Sequence, residues 1–176
     1  MVHTAIEDAS YRRPRLPAWT VVALLLFVTP VAWATAQRRA SGPRPDIGLR
    51  GGYEFRGNNF TAGAQIRYPL ARGSDLIPSA DWVFTSGTNF QVNLDLALPL
   101  MPGGGFYGGV GLGVVFTDRG LETGLDNEVG ANLFVGVAPY KTTNDGLRWF
   151  AEVRSFIRSG RNPLSFNIGL NAALGS

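Results

Sequence analysis

Arginines and carboxylates recur at alternate positions along residues 46–174: Arg50, Glu54, Arg56, Arg67, Asp81, Asp95, Glu128, Arg148, Glu152, Arg154 and Arg158. Arginine's planar fork pairs well with a carboxylate, and a charge held away from water is tolerable only when paired. Five acids and six arginines nearly balance. In a confined interior such a set either packs as a salt-bridged plug or lines an ion path, and the plug is the expectation for a narrow interior.

Other chemistries have little to stand on. The only histidine is His3 and there is no cysteine. A chain that loses His3 with its leader builds no histidine-based triad, no His- or Cys-ligated metal site and no thiol nucleophile. Ser86, Thr88 and Ser159 sit at turn signals, where turn formation accounts for them better than nucleophilic catalysis. Asp118, Glu122 and Asp126 do not have the spacing of an EF-hand, so they read as a solvated loop. Gly109, Gly111 and Gly113 do not match G-x-G-x-x-G and no helix start follows them. No cofactor and no metal are expected.

The elements that must position the charges are strands. In Asn89 to Leu100 the residues Phe90, Val92, Leu94, Leu96, Leu98 and Leu100 fall on every second position, with Asn89, Gln91, Asn93 and Asp95 between them. This is the two-faced periodicity of a strand. Alternation begins at Asp46, with Ile47, Leu49, Tyr53 and Phe55 against Gly48, Arg50, Gly52, Glu54 and Arg56, and turns at Gly57-Asn58. Further strands are expected at Phe60 to Leu70, Ile77 to Ser86, Phe106 to Phe116, Glu128 to Pro139, Leu147 to Ile157 and Leu164 to Leu174. Phe134, Phe150 and Phe156 share the phase of the charged residues. Glycines on the polar face of the fifth strand leave room for bulky side chains from across a narrow interior. The longest connection is expected at Thr117 to Asn127.

Eight consecutive strands with short links and no helix predict an all-β, eight-stranded antiparallel up-and-down barrel, which removes exposed edges by closing on itself. Strand lengths near the 9–11 residues of a tilted spanning strand favour a transmembrane barrel with its apolar face outward. Aromatics near strand ends, among them Tyr53, Phe60, Tyr68, Phe84, Phe90, Phe106, Phe116 and Phe166, fit two interfacial girdles. The competing soluble barrel would turn Trp82 and Trp149 into its cavity, whereas the membrane barrel turns them to lipid.

Arg12, Arg13 and Arg15, the apolar run Thr20 to Trp33 and Ala34-Thr35-Ala36 have the three parts of a secretory signal peptide. The expected organisation is a leader over residues 1–36 cleaved before Gln37, a flexible lead-in over 37–45 and a barrel over 46–174. Without the leader the net charge falls from +3 to +2, too little to argue for nucleic-acid binding.

This pattern, over the export signal and nearly all of residues 46–174, resembles the small eight-stranded outer-membrane β-barrel proteins of the OmpA and OmpX type. The resemblance implies a monomeric barrel in bacterial outer-membrane lipid with both termini periplasmic, inserted with the help of periplasmic chaperones and the barrel-assembly machinery. Family members often end on an aromatic residue, and this chain ends Leu174-Gly175-Ser176. The expected function is a non-enzymatic structural or surface role. The alternatives are a narrow outer-membrane pore and a soluble, lipocalin-like binding barrel in the periplasm.

Overall fold

A computed structural model describes residues 44–70, 73–85, 87–101, 105–118, 126–139, 146–160 and 162–174. The expected leader, its cleavage before Gln37 and most of the lead-in lie outside them. The strands are β1 Asp46–Glu54, β2 Asn59–Pro69, β3 Asp75–Thr85, β4 Gly87–Pro99, β5 Phe106–Asp118, β6 Asp126–Val137, β7 Arg148–Ile157 and β8 Leu164–Ala173. Each pairs antiparallel with its chain neighbour, and β1 pairs with β8 from Asp46↔Ala173 to Glu54↔Ser165, so the barrel is closed. Pro45 and Leu174 meet at one end, where the Leu174 N–H donates to the Pro45 carbonyl. We call this the terminal end, and the β1–β2 turn marks the distal end.

Alternation becomes two surfaces. Leu49 is 70% exposed and Leu112 66%, whereas Phe150 and Asp95 are 0% exposed. The barrel is therefore apolar outside and mostly polar within. At the distal end the chain leaves the ladder after Glu54, and Asn58 completes the turn at φ 53, a left-handed conformation that asparagine tolerates. On the outer face Tyr53 packs edge-on against Phe55 and Phe60, and Trp82 meets Phe90, which meets Phe116.

One connection differs from expectation. The strands flanking Thr117 to Asn127 run on into it, with Thr117 opposite Asp126 and Thr88 opposite Asp118, so only residues 119–125 lie between them. The longest connection is instead 138–147, at the terminal end. Backbone pairing continues through polar strand ends because the ladder uses main-chain groups and needs no apolar side chain.

One seam is incomplete. The β2–β3 ladder holds Gln65↔Ser79 and Tyr68↔Leu76 but skips the two positions between, where Pro78 stands opposite Ile66. The β3–β4 ladder runs through Pro78↔Leu94 without a break. Proline has no N–H to donate, so its blank side falls toward β2.

Candidate functional site: the ion-paired lumen

The closed register aims side chains from all eight strands into one narrow lumen. At its centre Arg154 on β7 donates from Nη1 to Asp95 Oδ2 at 2.6 Å and from Nη2 to Glu152 Oε1 at 3.0 Å. Its guanidinium carbon lies 4.7 Å from the centroid of the Phe134 ring, a cation–π stack. Asp95 also accepts from the Asn132 amide at 2.7 Å, and Glu152 Oε2 accepts from the Tyr107 hydroxyl at 3.2 Å. Arg50 on β1 grips Asp81 with Nε, at 2.7 Å, and with Nη2. The same guanidinium reaches Ser79 at 2.9 Å and Gln65 at 3.3 Å, and lies 3.6 Å from Glu152. Glu152 thus links the two arginines. Asn93 ties the clusters together, donating to Asp81 at 3.0 Å and accepting from Asn132 at 3.0 Å.

Toward the terminal end, Arg148 pairs with Asp46, and Arg67 pairs with Asp75 at 3.1 Å while stacking on Tyr107 at 4.9 Å. Between them Ile77, Ala97, Tyr107 and Phe134 form a buried apolar plug, backed by Ala138. Toward the distal end Arg158 donates to Glu128 at 2.6 Å. A small cavity of about 40 Å³ lies there, lined in part by Arg50, Glu54, Asp81, Gln91 and Asn167. That is room for a few water molecules.

Glycines make the space for this network. A methyl group at Gly111 would overlap the Asp95 carboxylate and the Leu94 carbonyl, and one at Gly109 would overlap the Phe134 ring.

Of the residues picked out by sequence, Arg50, Arg67, Asp81, Asp95, Arg148, Glu152 and Arg154 share the lumen, and Glu128 and Arg158 pair near its distal end. Glu54 lines the distal cavity. Arg56 is corrected: it lies exposed in the β1–β2 turn, because the strand ends before it. Sequence reasoning missed Asp46 and Asp75, which partner Arg148 and Arg67: Asp46 opens the first strand at the very edge of the lumen, and Asp75 lies ahead of the third strand expected at Ile77. It also missed the inward phase of Ile77, Ala97 and Tyr107 as an apolar plug. Trp82 and Trp149 face outward, 45% and 47% exposed. Ser86 and Glu122 lie outside the described residues, as do the side chains of Thr88, Asp118 and Asp126. Among the described residues no cluster of His, Cys, Asp or Glu is arranged to hold a metal ion.

An apolar exterior around a lumen packed with ion pairs and aromatics defines a class: the closed eight-stranded barrel built on the plan of transmembrane β-barrels. Among solved structures the chain is similar to the N-terminal β-barrel domain of Pseudomonas aeruginosa OprF, with a TM-score of 0.61 and 19% identity over 73% of this chain and 95% of that one. It is also similar to a de novo designed transmembrane β-barrel, with a TM-score of 0.50 and 14% identity over 74% and 95% of the two chains. The fold is therefore the closed eight-stranded antiparallel barrel that these structures share. No protein-family model and no curated protein matches the sequence.

Proposed function

We propose that this chain is a non-enzymatic barrel of the bacterial outer membrane with a structural or surface role, its lumen a salt-bridged plug. The inversion of the two faces carries this reading: exposed leucines, valines and aromatics outside, buried charges inside. The outward row from Phe90 on β4 to Leu100 just past its end spans ten residue steps. At about 3.3 Å per residue and a tilt of roughly 40°, that is about 25 Å, the height of the apolar band on such barrels. A water-soluble barrel with this exterior would expose apolar area far beyond the patch size of soluble monomers. The basic leader supports export, with cleavage before Gln37, and both barrel termini then face the periplasm.

The plug reading rests on the lumen's contents. Arg154, Asp95 and Glu152 are almost wholly buried and bonded to one another, and the apolar plug lies between them and the terminal end. Passage of an ion requires breaking those bonds. Membrane fractionation and heat-modifiable migration in detergent gels test the placement: the mature protein is expected in the outer-membrane fraction with a folded, faster band. Recovery as a soluble periplasmic protein without a heat shift sinks it. Planar-bilayer recording separates plug from pore, and a stable unitary conductance of the wild-type protein refutes the plug.

A further inference from the structure

The lumen holds two fillings in series, and they resist water differently. From the distal end, side-chain exposure falls along the ion pairs, from 39% at Glu128 to 13% at Asp81 and 2% at Arg50. The cavity of about 40 Å³ lies on that path, against Asp81, Arg50 and Arg154. The ion-paired cluster is thus approached by solvent from the distal side. An ion pair in contact with water is weak, because water competes for both charges. Salt bridges alone close a passage only while they stay dry.

What keeps them dry lies on their terminal side. Tyr107 on β5 stands opposite Gly136 on β6, and two steps along the same ladder Phe134 on β6 stands opposite Gly109 on β5. A Cβ on Gly136 would overlap the Tyr107 ring, and one on Gly109 would overlap the Phe134 ring. Each ring therefore lies over the glycine paired with it, and the two cross between their strands in opposite directions. They meet edge to face with centroids 6.2 Å apart. Arg67 reaches over Tyr107 from β2 at 4.9 Å, and Arg154 reaches over Phe134 from β7 at 4.7 Å. Ile77 and Ala97 fill in from β3 and β4. Six consecutive strands thus contribute to one layer across the lumen. The polar atom its two rings carry, the Tyr107 hydroxyl, already donates to Glu152 at 3.2 Å. An ion entering between the rings gives up its water and gains no polar partner in return.

We propose that the Arg67–Tyr107–Phe134–Arg154 layer, and not the ion pairs, is the seal of the lumen, and that the distal half is a blind aqueous vestibule ending at it. The inference rests on the plug reading and names the part of the plug that stops ions. With the rings in place, breaking the central pair opens nothing. With the rings gone, water reaches that pair from both ends and it opens thermally.

Planar-bilayer recording of two double variants of the full-length mature protein tests this. Arg154→Met/Asp95→Asn removes the central pair, keeps both rings and is expected to be as silent as wild type. Tyr107→Ala/Phe134→Ala keeps the central pair and is expected to conduct, with open time raised at least about tenfold over wild type. Conductance in the first variant overturns the proposal, as does silence in the second when it is folded and inserted. The chain contains no cysteine, so single thiols give a reading that does not depend on the ring-less variant folding. Asn93, in the ion-paired cluster, and Ala97, in the apolar layer, are equally buried, at 1% and 2% exposure. Asn93→Cys is expected to react with Ag⁺ about a hundredfold faster than Ala97→Cys, an S–Ag bond forming as the thiol proton leaves. Equal rates overturn the proposal. A wild type that itself conducts overturns the plug reading with it, and one that neither inserts nor shifts on heating overturns the membrane reading beneath both.

Discussion

Replacing Arg154 with methionine keeps much of the side chain's bulk and removes the cation at the centre of the lumen. Glu152 would still have Arg50 at 3.6 Å, but Asp95, with 0% exposure, would be left with the Asn132 amide as its remaining strong donor. Breaking one partner from a buried ion pair costs about 3–5 kcal/mol, because the surviving charge is stranded in a medium that solvates it poorly. Loss of the stack on Phe134 adds about 1 kcal/mol. With a urea slope of about 2 kcal/mol per molar, the unfolding midpoint is expected to fall by roughly 2–3 M. Urea titration in lipid vesicles, followed by tryptophan emission and by the folded band on gels, measures this. Adding Asp95→Asn to Arg154→Met removes the stranded charge and is expected to recover most of the loss. A cost below about 1 kcal/mol, the size seen for solvated pairs, refutes the buried-network account. So does a double variant no more stable than Arg154→Met, since the cost would then be lost packing.

Two further outcomes concern the wall. Gly111→Ala forces a methyl group against Asp95 and the Leu94 carbonyl, so a loss of about 1–3 kcal/mol is expected. Gly51→Ala enters open space on the outer face and is expected to stay within about 0.5 kcal/mol of wild type in the same titration; equal effects of the two would contradict the assignment of faces. Pro78→Val supplies a main-chain donor at the β2–β3 seam and is expected to slow amide exchange around Ile66 and Arg67, with a gain of about 1 kcal/mol. Unchanged exchange there would mean that the ladder gap has a cause other than the missing N–H.

Side-chain phase is the part of this molecule that a sequence displays openly. A strand fixes which face each residue takes, so Arg50, Asp81, Asp95 and Arg154 could be placed on one surface without knowing any contact. Phase says nothing about where a strand stops, which is why Arg56, in step with Glu54, fell outside the barrel. It says nothing about partners either: Arg50 and Asp81 are 31 residues apart and meet because both stand opposite Gly63 in their ladders. The plug of Ile77, Ala97, Tyr107 and Phe134 was hidden for another reason. Apolar residues in the inward phase look like interruptions of a polar face until the register stacks them together. Asp118 and Asp126, polar residues read as loop, lie in paired strands because pairing is a main-chain property.

Phase is also blind to one class of error that the barrel must avoid. A one-residue slip of β4 would turn Asp95 toward hydrocarbon, where a charged side chain is destabilising, so phase itself forbids it. A two-residue slip keeps every face correct and must be rejected by something else. The lumen supplies that discrimination through size. Asp95 stands opposite Gly111, Phe134 opposite Gly109, Asp81 and Arg50 opposite Gly63, and Phe150 opposite Gly169. Each of these inward side chains is matched across one ladder to a glycine. Sliding β5 by two along β4, with β6 attached, would bring Asp95 opposite Gly109, whose other side Phe134 already occupies, or opposite Gly113, and either way would part Asp95 from Asn132, which shares Gly111 with it. Only one register satisfies both neighbours of β5 together with the reach of Arg154 to Asp95. The many glycines of this chain thus select, among registers equally acceptable to lipid, the one in which the charges meet.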